Sequence, residues 1–184
     1  MKPPFSTYQR VFVLSTLVCI GLPLGGCTSP NAAIQADDPD LATYLELVLP
    51  ARIEIQRYLT KPVSYAGDGN ADGLEVIVAV YDKSDELTKV YGTLHFELVE
   101  QKVTDSVGTR VAFWPIDITT DRAMRLYRDH LSRFYQFPLQ LEQKSLPTGQ
   151  YVLSVWLHLP GGRRLYDEYE FTYDGKGAPP VRPL

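Results

Sequence analysis

The 184-residue sequence predicts a mainly β protein: an antiparallel β-sandwich of seven strands with one short amphipathic helix, preceded by a cleaved signal peptide. Three observations predict this organisation. A short apolar segment lies close to the N-terminus. Beyond it, apolar and polar residues alternate with the period of two that half-buried strands require. Gly, Pro, Asp and Asn residues separate the alternating segments, which is typical of sandwiches built from short strands.

The N-terminal segment has the organisation of a secretory signal peptide. Lys2 and Arg10 are its only charged residues, and residues 11–24 are mostly apolar or small. A helix needs about 20 residues to cross roughly 30 Å of hydrocarbon, so these fourteen are too few for a typical span. We therefore expect residues 1–26 to be removed on export, and an uncleaved anchor or a buried helix is the alternative.

The end of this segment, Leu-Gly-Gly-Cys at residues 24–27, resembles the lipobox of bacterial lipoproteins. The resemblance implies cleavage between Gly26 and Cys27, a diacylglyceryl thioether on Cys27, and acylation of the new amino group, for example with palmitate. Three acyl chains exceed the two signals that stable anchoring needs. Thr28 and Ser29 follow without an aspartate, and the same resemblance then implies the outer membrane, facing the periplasm.

Cysteine content and charge restrict the remaining function classes. Cys19 leaves with the signal peptide, so no disulfide forms within the mature chain of 184 − 26 = 158 residues. A domain of this length buries enough surface to fold without one. Loss of Lys2 and Arg10 leaves 16 basic and 22 acidic residues, a net charge of −6. This charge disfavours nucleic acid as a partner.

The mature chain is predicted to hold one folded domain, residues 41–174. Residues 27–40 are rich in small and polar residues and form the lipidated, flexible tether, and residues 175–184 form a Pro/Gly-rich C-terminal tail. A brief helix over residues 41–48 ends before Pro50.

Seven strands follow in order. The second is almost wholly apolar and β-branched, as in a central strand covered on both faces. Pro115 places the fourth at a sheet edge or a bulge. Gly161 and Gly162 permit the tight turn between the last two. The strands cover residues 52–57, 74–81, 91–99, 110–118, 133–141, 150–159 and 164–173.

One amphipathic helix, residues 120–134, interrupts the strands. Thr120 and Asp121 suit its first turn. Its basic side is either a solvated surface or a contact for lipid phosphate or an acidic partner. One side carries Met124, Tyr127, Leu131 and Phe134, and the other carries Arg122, Arg125, Arg128 and Arg133.

Further resemblances concern the fold. Residues 146–157 (LPTGQYVLSVWL) look like the penultimate strand of immunoglobulin-like and transthyretin-like modules, which serve many functions. Residues 72–100 and 159–171 are similar to parts of Gram-negative envelope lipoproteins that have no established activity. These resemblances imply a β-sandwich fold and a location in the cell envelope. They imply no enzymatic activity.

Asp68, Asn70 and Asp72, followed by Gly73, match the opening of an EF-hand or dockerin-type calcium loop. The position of the closing glutamate is Ala79, and a strand follows instead of a helix. The pattern therefore leaves two interpretations, a calcium site and an ordinary turn before a strand.

Other catalytic or metal-binding patterns are missing from the mature sequence. His95, His130 and His158 lie on three predicted elements without metal-ligand spacing, so surface positions are expected and zinc is not. There is no Gly-x-Ser-x-Gly elbow and no Gly-rich phosphate loop. We predict no catalytic residues and no cofactor apart from the calcium alternative.

Trp156 and His158 are the candidate contact residues. If Tyr151, Leu153, Val155 and Leu157 face the core, then Trp156 and His158 face away from it. An outward tryptophan stacks on a sugar, docks a partner, or is covered by a neighbouring element.

The sequence thus favours a lipid-anchored, non-enzymatic binding or structural module of the cell envelope. The alternative is a carbohydrate- or peptidoglycan-binding module that uses exposed aromatics, and an envelope hydrolase is third. The expected partners are membrane lipid, through acylated Cys27, and an envelope protein or glycan.

Overall fold

The computed structural model describes residues 39–102, 105–143 and 145–181. The predicted signal peptide, the predicted lipidation site at Cys27 and most of the predicted tether lie outside these ranges and stay predictions. Among the helices of the described ranges, none has the length and apolar character needed to span a bilayer.

The described chain forms two helices and eight strands, which confirms the mainly β class. The helices are α1 (Pro39–Val48) and α2 (Asp121–Tyr127). The predicted number of seven strands is wrong because β2 has three residues, one of them proline, too few to show a period of two. The strands are β1 (Arg52–Ile55), β2 (Lys61–Val63), β3 (Gly73–Tyr81), β4 (Thr93–Lys102), β5 (Asp105–Asp117), β6 (Tyr135–Gln140), β7 (Gly149–His158) and β8 (Arg164–Tyr173).

The strands form two antiparallel sheets of four. In the first sheet β3 is central: β1 and β2 pair with its two halves, and β6 pairs along its other side. The second sheet has the order β5-β4-β7-β8. Its β5 is an edge strand, which is the position that Pro115 predicted. Gly161 and Gly162 link β7 to β8 with φ angles of +82°, a region that glycine enters without strain.

The hydrophobic core lies between the sheets. Alternate residues of β3, from Leu74 to Val80, are buried and face side chains of β4 and β7. Phe96 of the second sheet lies 4.9 Å, centroid to centroid, from Phe137 of the first. Each fully buried side chain of this kind contributes about 1.5–3 kcal/mol. The outer face of β3 is only half covered, so the prediction of a strand buried on both faces holds for one face.

Helix α2 begins as predicted and ends early. The Thr120 hydroxyl accepts a hydrogen bond from the Ala123 N–H at 3.1 Å, which caps the helix. The predicted continuation to residue 134 is wrong, because Arg128 is extended and Asp129 accepts the N–H groups of Leu131 and Ser132. A side chain that captures local backbone groups competes with the helix in this way. Leu131, predicted on the apolar side, is 95% exposed.

The described part of the predicted C-terminal tail packs on the domain. Ala178 is buried, and its N–H donates to the Gly69 carbonyl at 2.8 Å. The Ser64 N–H donates to the Pro179 carbonyl at 3.0 Å. Residues 175–181 therefore cover the loop that precedes β3.

Candidate functional site

The outer face of the second sheet carries the predicted contact residues Trp156 and His158. The inward set of β7 is almost completely buried, which confirms the predicted register (Tyr151, Leu153, Val155 and Leu157). The intervening residues point away from the core because successive strand side chains alternate between faces. Trp156 and His158 are half-buried, neither in the core nor fully exposed.

Trp156 shares this outer face with Tyr166. The two residues are directly paired across β7 and β8, and their ring centroids are 5.5 Å apart with the planes tilted by 40°. Tyr166 is 49% exposed, and its hydroxyl donates to the Glu168 carboxylate. Partial burial, together with this carboxylate, raises the pKa of Tyr166. The phenol therefore stays neutral and offers an exposed ring face at neutral pH.

His95 on β4 extends the row of rings. Its partner across β7 is Trp156, and its imidazole lies 4.6 Å from that of His158 in an edge-to-face arrangement. On the other side, Phe113 of β5 lies 5.5 Å from His95 and is 47% exposed. Rings from four adjacent strands thus lie on the same face of the second sheet. We call Phe113, His95, His158, Trp156 and Tyr166 the aromatic face.

The His95–His158 pair was missed by sequence reasoning, which treated the histidines as unrelated. Both residues were placed on the polar sides of their strands, but only the β4–β7 register makes them neighbours. Partial burial lowers the pKa of His158, and nearby Arg164 and His95 lower it further. A neutral imidazole both donates and accepts hydrogen bonds, as a ligand rich in hydroxyl or amide groups requires.

Comparisons with known proteins do not assign the chain to a family. No protein-family model matches the chain, and no curated protein matches it. Among solved structures, the chain is similar to MtrC from Shewanella baltica OS185, with 11% identity and a TM-score of 0.42. The match covers 72% of this chain and spans only 24% of that protein. A likeness at this level carries no argument about fold or function.

The 68–73 loop uses its acidic side chains internally. The buried carboxylate of Asp72 accepts the N–H groups of Tyr65 at 2.6 Å and Ala66 at 2.9 Å, one on each oxygen. Asp68 accepts the backbone N–H and the side-chain amide N–H of Asn70. Asn70 thus turns its donor, not its oxygen, toward Asp68. This arrangement is that of a hydrogen-bonded turn.

The surroundings of the loop supply no further acidic ligand at the expected closing position. Ala79 is buried in β3 and pairs with Glu54 of β1. Within the described ranges, no three His, Cys, Asp or Glu side chains converge as a metal site would need. The hydrogen bonds of Asp72 therefore favour the turn over the calcium interpretation.

The arginines predicted on one side of α2 are only partly brought together. Arg125 forms an ion pair with Asp121 one turn earlier, which offsets its charge. Arg133 lies beyond the end of the shortened helix. The basic side of α2 therefore holds fewer free cations than the sequence predicts.

Proposed function

We propose that this chain is a lipid-anchored, non-enzymatic protein of the bacterial cell envelope, and that the aromatic face is its partner-binding surface. Support for the anchor comes from residues 24–29, whose resemblance to lipoproteins implies the outer membrane. Support for the surface comes from one observation above the others: five ring side chains from four strands share a solvent-facing surface. Trp and Tyr at such positions are favoured in binding hot spots.

A crosslinking experiment in intact envelopes tests this proposal. A photoreactive amino acid at Tyr166 should capture a partner, because the side chain is exposed and lies beside Trp156 in the aromatic face. The same group at Leu131, which is 95% exposed but lies in the turn after α2, is the matched control. Equal capture at both positions, or capture at Leu131 alone, would contradict the assignment of the face.

A glycan is the second candidate for the ligand. The rings of Trp156 and Tyr166 supply apolar surfaces for stacking, and the imidazole of His158, whose pKa is lowered, supplies hydrogen bonds for hydroxyl groups. Two carboxylates flank the rings, those of Glu97 and Glu168. The Glu97 carboxylate accepts a hydrogen bond from Arg110. Sedimentation with purified peptidoglycan distinguishes the candidates: wild type should sediment and Trp156→Ala should not. If neither sediments while crosslinking at Tyr166 succeeds, the partner is a protein.

A further inference from the structure

Helix α1 carries five large apolar residues on one side, with the acidic Asp40 of its first turn at the same side. At 100° per residue, the polar residues Thr43 and Glu46 share the opposite side. All the apolar residues but Leu41, which is half-buried, are exposed. The apolar side consists of Leu41, Tyr44, Leu45, Leu47 and Val48.

Most of the apolar side of α1 is not packed against the domain. The Glu46 carboxylate accepts a hydrogen bond from Lys83 Nζ at 2.7 Å, and this ion pair between solvent-exposed side chains joins the polar side of the helix to the domain. The helix end is held by Thr88, whose hydroxyl donates to the Val48 carbonyl at 2.8 Å. A helix on a globular protein normally turns its apolar side to the core. Here Tyr44 and Leu47 are instead 56% and 54% exposed.

The position of α1 in the chain suggests what covers this side. Eleven residues, 28–38 (38 − 28 + 1 = 11), separate Cys27 from the first residue of the helix. Twelve Cα–Cα steps reach at most about 40 Å, so a lipid on Cys27 keeps α1 within reach of the bilayer surface. Weak insertion then suffices, because tethering makes the second contact intramolecular.

We propose that α1 lies in the surface of the membrane that holds Cys27, with its apolar side among the lipid headgroups and upper acyl chains. The inference rests on the proposed lipid anchor. Amphipathic helices lie in this way with the apolar side about 5–10 Å deep. Glu46 and Asp40 make the helix acidic, so a zwitterionic lipid surface fits it better than an anionic one.

A second copy of the chain fits this surface less well. A ten-residue helix is about 15 Å long, and five side chains on it fall far short of the roughly 800 Å² per partner that stable interfaces bury. A bilayer has no such minimum area, because each inserted side chain adds independently to binding.

A single-cysteine fluorescence experiment on the full chain tests the inference. Leu47→Cys introduces the one thiol of the mature protein that is not predicted to be acylated. A polarity-sensitive dye at position 47 should shift its emission to the blue in phosphatidylcholine and phosphatidylethanolamine vesicles. Quenching by aqueous iodide should fall several-fold. Leu131→Cys, an equally simple change at a 95% exposed leucine, should show neither effect.

Three other results of this experiment would each contradict a different part of the inference. If the protein is anchored in the vesicles but the dye at position 47 stays open to iodide, the α1 inference fails and the anchor stands. If the extracted protein does not associate with membranes, both fail. A blue shift that depends on protein concentration and needs no vesicles would show a second copy instead and overturn the inference.

Discussion

Trp156 and Tyr166 lie 5.5 Å apart on the solvent-facing side of β7 and β8. The other tryptophan of the chain, Trp114 on β5, has a different environment: its Nε1–H donates to the Gln140 carbonyl on β6 at 2.7 Å. That hydrogen bond joins the two sheets, and the Trp114 ring packs against the core. Trp114 therefore connects the two sheets, whereas Trp156 lies on the outer face of the second sheet.

This difference predicts opposite effects of two alanine substitutions. Trp156→Ala should leave the Tm within a few degrees of wild type and abolish partner or glycan retention. Trp114→Ala should lower the free energy of unfolding by about 2–4 kcal/mol, because a cross-sheet hydrogen bond and core packing are lost. Thermal melts and a retention assay on both variants measure this. A Trp156 variant that unfolds like Trp114→Ala would make Trp156 a core residue.

The two aspartates of the 68–73 loop should differ in the same way. Asp72→Ala leaves the Tyr65 and Ala66 N–H groups without their acceptor, and we expect a loss of about 3 kcal/mol. Asp68→Ala removes an exposed carboxylate and should cost about 1 kcal/mol or less. Denaturant titration of both variants gives the comparison. Equal destabilisation would mean that Asp72 does not hold the loop.

Calcium should not stabilise the protein. Both oxygens of Asp72 already accept backbone N–H groups, and Ala79 stands where a closing glutamate would be. Binding to the native state alone would add about 2.7 kcal/mol at a hundredfold excess over Kd, a clear rise in Tm. A Tm that rises with millimolar calcium in wild type and not in Asp68→Ala would establish the calcium interpretation.

Stability should fall at alkaline pH. Burial, with smaller contributions from Glu100 and Tyr173, raises the pKa of Tyr151 to about 12, and burial also raises the pKa of Tyr65. An unfolded tyrosine has a pKa of about 10, so the folded state holds its phenol proton more tightly. This contribution is complete below about pH 10 and is lost as the pH rises toward 12.

Denaturant midpoints at pH 8, 10 and 11 measure this loss. Tyr151→Phe is the matched variant, because it removes the titrating group and keeps the ring. The variant should be less stable at pH 8, having lost the hydrogen bond from the Tyr151 hydroxyl to the Pro147 carbonyl. It should also lose less stability between pH 10 and 11 than wild type. An identical alkaline loss in both proteins would contradict the role of Tyr151.

Cys27→Ala should leave an uncleaved or mislocalised precursor. The predicted lipid is attached to the Cys27 thiol, and by resemblance to lipoproteins the cleavage follows that attachment. Mass spectrometry and membrane fractionation report both steps. Cys19→Ala is the control and should be processed as wild type. Normal processing of the Cys27 variant to a membrane-bound form would end the lipoprotein proposal.

The sequence by itself determined the β class and which side of β7 faces the core. Alternation along one strand is a local property of the extended backbone, so Trp156 was placed on the outer side before any strand pairing was known. The start of α2 was predictable for the same reason, since a cap and first turn involve only neighbouring residues. The number of strands was not predictable from the sequence. The three-residue strand β2 is too short to show a period of two, and it forms through its pairing with β3.

Only the tertiary structure decided which outward residues meet. His95 and His158 are separated by 62 other residues, and the β4–β7 register alone makes them neighbours. A brief helix at residues 41–48 was predicted from the sequence, but only the structure shows that Tyr44 and Leu47 of α1 are left exposed. Such choices between distant segments are made by packing over the whole domain, and no local pattern of residues encodes them.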